Sequence, residues 1–154
     1  HESLAIIDLG QADTRIHILR SGVYDSKRVI ETGVKDLEQV IAEVTFSDIY
    51  MAHSYKRTNH DNVLNHEKCL ELYNRISVEI LKSVNFYNYN NREQELKDIY
   101  LIGGGAAIDP LADTIRQTTG LNVHPAEELL KGAVSVDEPW LFLRAICCGA
   151  KEKG

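Results

Sequence analysis

No apolar run in these 154 residues approaches the roughly 20 that a bilayer-spanning helix requires, and no charged n-region followed by an apolar h-region marks a signal peptide. The chain is expected to be soluble. Basic charge is also in short supply: 17 Lys and Arg against 23 Asp and Glu leave a formal net charge of −6 and a pI near 5.5. Nucleic acid is thereby disfavoured as the main partner, because phosphate binding needs a basic face that releases counterions. Cysteine is scarce. Cys69, Cys147 and Cys148 make no disulfide framework, and a reducing cytoplasm fits them best. The adjacent pair falls in the apolar "LFLRAICCGA", where free cysteine acts as a small buried hydrophobe. Metal-ligand spacing is missing as well. His53, His60 and His66 stand seven and six residues apart, which matches no compact ligand motif, so they read as solvated side chains.

What remains is ordinary globular material, with 44% hydrophobic and 26% charged residues in a length suited to one domain. "SLAIIDLG" is a near-continuous apolar run and "TRIHILRSG" alternates, so both read as strands. Ser21-Gly22 marks a turn, and "SKRVIETG" reads as a third strand ending at Gly33, giving an antiparallel meander. Leu37, Val40, Ile41 and Val44 then recur at helical spacing. Ser47 is a candidate cap for a short helix over 48–56, and Cys69, Tyr73, Ile76, Ile80 and Val84 mark a long amphipathic helix. "NYNNREQE" reads as an asparagine-rich loop before the next strand.

The stretch "DIYLIGGGAAIDPLADTIRQTTGL" places three consecutive glycines, Gly103 to Gly105, between an apolar strand and a helix. Asp109 is a good N-cap, Pro110 suits the first helical position, and Gly120 suits the helix end. The glycines fit neither G-x-G-x-x-G nor the Gly-Lys-Ser/Thr of a P-loop. Relief of a tight turn and close approach of a ligand explain them equally well. Near the N-terminus, "IIDLGQADT" sets Asp8, Gly10 and Thr14 at the turn between the first two strands. Gly10 can bring backbone N–H groups to a phosphate, the Thr14 hydroxyl can add a donor, and Asp8 can hold a hydrated Mg²⁺. An ordinary hairpin with an exposed aspartate is the plain alternative.

These two loops, in the order βββ, helices, β, glycine loop, α, β, α, resemble the second half of an actin-like ATPase, the superfamily of actin, sugar kinases and heat-shock chaperones. "DLGQADT" is similar to its second phosphate motif and "IYLIGGGA" to its adenosine motif. More narrowly, "AIIDLGQADTRIHILRSG", "ILKSVNFYNYNNREQELKDIYLIGGGAAIDPLADTIRQTTGLNV" and "FLRAICCGA" resemble the PilM family of type IV pilus assembly. The resemblance implies an RNase-H-like mixed sheet flanked by helices, with a core over about 1–34 and 97–150 and a helical lobe over about 35–96 inserted after the third strand. It implies ATP and Mg²⁺ as ligands. Asp8, Gly10 and Thr14 would face phosphates and metal, while Gly103, Gly104, Gly105 and Ala106 would pass close to the adenosine. The family's Ala-Glu-x-x-Lys-like segment corresponds to "AHSYK". Ala52 and Lys56 match it, and His53 stands in place of the glutamate.

The first phosphate loop and its half of the superfamily's cleft have no counterpart here, so the chain is expected to be a C-terminal fragment, with His1 a tag remnant. Such a fragment would bind nucleotide weakly and hydrolyse nothing measurable. The resemblance further implies a cytoplasmic scaffold at the inner face of the cell membrane, peripheral to it through partners such as PilN, with the PilN contact in the missing half and self-association as a further expectation. Two alternatives stand beside it. An FtsA-like division filament protein shares the glycine motif but ends in an amphipathic membrane helix, unlike "GAKEKG". A metabolic kinase would need a substrate pocket and a catalytic base, and none is discernible.

Overall fold

A computed structural model describes residues 3–130; Cys147, Cys148 and the closing "FLRAICCGA" lie outside the described residues. The meander forms as expected, with β1 (Ser3–Leu9), β2 (Thr14–Arg20) and β3 (Val23–Ile30), except that β3 starts before Ser26 and ends at Ile30, leaving Gly33 to cap the next helix. Helices α1 (Val34–Thr45), α2 (Ile49–Thr58) and α3 (Glu67–Asn90) follow, with a short 3-10 segment over His60–Asn65 between the last two. The chain then returns through β4 (Leu96–Ile102), a 3-10 turn over Gly104–Ala107, α4 (Asp109–Thr119), β5 (Asn122–Pro125) and α5 (Glu127–Leu130).

The five strands make one mixed sheet in the order β3-β2-β1-β4-β5. Pairing is antiparallel within the meander and parallel from β1 to β4 and from β4 to β5. The continuous apolar character of β1 follows from its central position, because a strand covered on both faces has no solvent side to leave polar. Ala5, Ile7 and Leu9 enter the main core with Leu37 and Ile41 of α1, Leu72, Tyr73, Ile76 and Ile80 of α3, and Leu111 and Ile115 of α4. Ile6 points the other way and packs with Leu19, Tyr100 and Leu129. Leu4 pairs with Asp98 and Ile7 with Leu101, so the first and fourth strands are neighbours as the strand order requires.

Three local expectations are corrected. Asp48, not Ser47, caps α2: its carboxylate accepts from the Met51 N–H at 2.8 Å, while the Ser47 hydroxyl is engaged with Thr45. Helix α4 starts at Asp109 itself, with Ile108 in the cap position and no side-chain cap; Pro110 still lies in the first turn, where its missing N–H costs nothing. The asparagine-rich loop is shorter than read, because α3 continues through Asn90. Asn90 and Asn91 donate from their side chains to the carbonyls of Phe86 and Tyr87 at 2.9 Å, satisfying groups that a helix end leaves open.

His53, His60 and His66 are exposed, as expected, and each also makes a local contact. His66 caps α3 by accepting from the Lys68 N–H at 3.1 Å, and His60 stacks on the Tyr55 ring at 4.4 Å. His53 bonds Glu38. Among the described residues no group of three or more His, Cys, Asp or Glu could hold a metal ion. Cys69 is buried, and desolvation pushes its thiol up to about 11, so it is an inert packing group.

Candidate functional site

The β1–β2 turn and the glycine loop meet at the carboxyl ends of two adjacent parallel strands, since Asp8 pairs with Ile102 and Gly103 follows directly. Open α/β sheets bind ligands at such ends. How the two loops approach each other separates the three glycines. Gly103 adopts φ +86 and ψ 177, a region closed to other residues, and a Cβ there would lie 2.5 Å from Asp8 Oδ1 and 2.8 Å from the Leu9 carbonyl oxygen. A Cβ at Gly105 would come within 2.6 Å of Leu9 Cβ. Both glycines are required by packing against the end of β1. Gly104 is different: its φ is not positive and, among the described residues, nothing lies within 4 Å of where its Cβ would be. The described residues give no steric reason for that glycine.

Gly104 borders a cleft of about 770 Å³ between the glycine loop and the end of α2, shared with Lys56, Asn59, Asn65, Asp109 and Asp113. That volume lies in the range of small-molecule sites. Gly104 and Lys56 therefore come together. Ala106 borders a separate cleft beside β5.

Asp8 is only 5% exposed, and among the described residues no donor hydrogen-bonds its carboxylate. Burial raises its pKa above the ordinary 3.8, the Arg15 charge lowers it, and the Asp13 charge raises it. A buried carboxylate without hydrogen bonds is costly to keep ionised.

The other two sequence candidates shape the turn from inside. The Gly10 N–H donates to the Asp13 carbonyl at 3.0 Å, and the Thr14 hydroxyl donates to the Thr32 carbonyl at 2.8 Å. Neither group is free to donate to a phosphate. Helix α1 supplies the reason for the turn's orientation: Val34 N–H donates to the Gly10 carbonyl and Lys35 N–H to the Gln11 carbonyl, both at 2.9 Å. In a trans peptide the C=O and the following N–H point in opposite directions. The Gln11 and Ala12 N–H groups are thus aimed away from α1, on exposed residues. They are the turn's candidate anion donors.

Sequence reading missed two residues that build this region. Gly33 reads in the sequence only as a strand end, yet a Cβ there would sit 2.5 Å from the Gln11 carbonyl oxygen and 2.7 Å from the Asp13 nitrogen. Its bareness lets α1 dock on the turn. Glu38 reads as a surface charge but is 6% exposed, accepting from Lys56 Nζ and from His53 Nδ1, the latter at 2.8 Å. Desolvation pushes its pKa up, but the hydrogen bonds from Lys56 and His53 outweigh that and hold it below the ordinary carboxylate value. The apolar spacing of α1 signalled the buried stripe; nothing in the sequence signalled its partner.

A family model described as type IV pilus assembly protein PilM matches residues 1–137. The chain belongs to the PilM family. Among solved structures, a PilM–PilN type IV pilus biogenesis complex is similar at 25% identity and TM-score 0.69, over 81% of this chain and 35% of that one. The ethanolamine utilization protein EutJ from Carboxydothermus hydrogenoformans gives 17% identity and TM-score 0.69, over 81% and 44% of the two chains. An apo psk41 ParM gives 13% and 0.58, over 98% and 43%. The latter two speak for the fold alone, that of actin-like ATPases. No curated protein matches. This PilM-family chain spans less than half the length of each of these structural relatives. No helix among its described residues is long and apolar enough to cross a membrane.

Proposed function

We propose that this PilM-family chain is the C-terminal part of an actin-like, ATP-binding scaffold of the type IV pilus assembly platform, with the nucleoside in the cleft between Gly104 and Lys56. The observation that carries the reading is Gly104. Its neighbours are glycines because the protein's own atoms exclude a Cβ, whereas Gly104 has room for one and borders a cleft of suitable size. A ligand seated on the loop supplies the missing steric reason.

The chain's groups suit the phosphates and metal as well. The Gln11 and Ala12 N–H groups would donate to phosphate oxygens, and Asp8, a carboxylate without a hydrogen bond, would hold Mg²⁺ through its waters. The metal would neutralise phosphate charge and lift the desolvation penalty now carried by Asp8. Gly103 and Gly105 keep the two loops in register. The scaffold works in the cytoplasm at the inner face of the membrane, with PilN as its partner through a region outside this chain; a PilM–PilN complex among the structural relatives supports that pairing.

The test is the thermal midpoint of the full-length protein with and without excess ATP and Mg²⁺. A ligand at a hundred times its Kd stabilises the folded state by about 2.7 kcal/mol, so a rise of several degrees is expected. An unchanged midpoint at millimolar Mg²⁺-ATP would contradict the reading.

A further inference from the structure

Helix α2 meets the core through Ala52, its one fully buried residue, and the partly buried Tyr55. It is also tied to α1 by two polar side chains on the same turn, His53 and Lys56, which converge on the Oε1 atom of Glu38. The Lys56 side chain is only 12% exposed and that of Glu38 8%, so this ion pair is largely withdrawn from water and solvent screening weakens it little. Lys56 also borders the cleft that Gly104 opens. The ammonium has three donors and a carboxylate takes one of them.

The geometry points to Glu38 as a positioning residue that holds Lys56 in the cleft as a neutralised pair, so that Lys56 offers N–H donors and an aliphatic stem to the uncharged nucleoside end of the ligand and not a free cation to its phosphates. This rests on the ATP-binding reading above. A lone ammonium would attract the polyphosphate and compete with the β1–β2 turn for it. Paired with a buried carboxylate, Lys56 has little net charge to offer at that distance and acts by hydrogen bonding to neutral acceptors such as ribose hydroxyls and ring nitrogens. His53 steadies the carboxylate from the solvent side, its ring 53% exposed, and fixes which oxygen faces Lys56.

Adenosine and ATP are the probes, titrated into the full-length protein, with thermal midpoints measured in parallel. Glu38→Gln should weaken adenosine binding roughly tenfold, the scale of one charge-assisted hydrogen bond. It should also make ATP binding more salt-sensitive, because a released cation engages phosphates. Removing one partner of a buried pair can itself unfold a protein, whereas replacing both with neutral groups is often tolerated. The double variant Glu38→Gln/Lys56→Met is therefore included. It should recover the wild-type midpoint and bind adenosine no more weakly than Lys56→Met alone, because Glu38 acts through Lys56; losses that add independently would overturn the positioning role. Glu38→Asp, which keeps the charge on a shorter stem, should restore part of the affinity. Wild-type adenosine affinity in a folded Glu38→Gln, or in the double variant, would overturn this inference and leave the ATP site standing. Failure of the wild-type protein to respond to Mg²⁺-ATP would overturn both.

Discussion

Gly103→Ala should lower the thermal midpoint of the ligand-free protein by on the order of 10 °C. Two penalties coincide. The backbone at φ +86 and ψ 177 lies where a residue with a Cβ is strained by about 1–3 kcal/mol. The added carbon would also meet Asp8 Oδ1 at 2.5 Å and the Leu9 carbonyl oxygen at 2.8 Å. The first of these can shift; the second is backbone of the central strand and cannot move without disturbing the β1–β4 pairing. A chain of this size has a stability of about 5–15 kcal/mol, so a combined cost of about 3 kcal/mol or more is a large share of it. Gly105→Ala should follow at a smaller cost, since its φ is not positive and the clash with Leu9 Cβ at 2.6 Å is its one contact under 3 Å. Circular dichroism melts of the two variants would check the order. Equal, near-wild-type midpoints would mean that the loop does not pack against β1 in the way described.

Asp8→Asn should do the opposite to stability and the most damage to binding. Burial raises the folded-state pKa of Asp8, and the unfolded chain has the ordinary 3.8. Below that value the carboxyl is protonated in both states and its folding penalty is absent. As pH rises through the elevated folded-state pKa, the native carboxylate ionises in a largely desolvated site, and stability is lost. At neutral pH the wild type therefore carries a cost that asparagine removes. The midpoint of Asp8→Asn should be higher than wild type at pH 7, by on the order of a few degrees, and the difference should vanish in acid. The same change takes away the charge that holds the hydrated Mg²⁺, so the stabilisation by Mg²⁺-ATP should be lost, while binding of adenosine is retained. A destabilised variant at neutral pH, or an undiminished Mg²⁺-ATP shift, would contradict the role given to Asp8.

Much of the sheet was legible because its chemistry is local. An apolar run without a polar face suits a strand covered on both sides, and the structure places β1 at the centre of the sheet. Gly120 sat at the end of a periodic pattern, and it does adopt φ +67. The asparagine run misled because asparagine favours loops on average, while here its amide donors close the end of α3. The three glycines were the least readable letters. Their roles diverge only when Asp8 and Leu9 arrive from nearly a hundred residues away, making two of them steric necessities and leaving Gly104 open. Glu38 was hidden for a related reason: a glutamate on a helix reads as solvent-facing unless the lysine that buries it is known. In the sequence Gly10 reads as the residue that brings backbone N–H groups to a phosphate and the Thr14 hydroxyl as a further donor. In the fold their hydrogen bonds are spent on holding the turn, which aims its next two N–H groups outward.

The central claim is that Gly104 is bare for the sake of a ligand, and Gly104→Val in the full-length protein tests it most directly. Among the described residues its Cβ meets nothing within 4 Å, and its φ is not positive, so the ligand-free midpoint should stay within a few degrees of wild type. The valine methyl groups would project into the cleft beside Lys56, where the nucleoside is expected. Calorimetric titration with Mg²⁺-ATP should then show affinity reduced at least about a hundredfold, since a blocked pocket loses the nucleoside contacts altogether. A folded variant that binds Mg²⁺-ATP as tightly as the wild type would contradict the account.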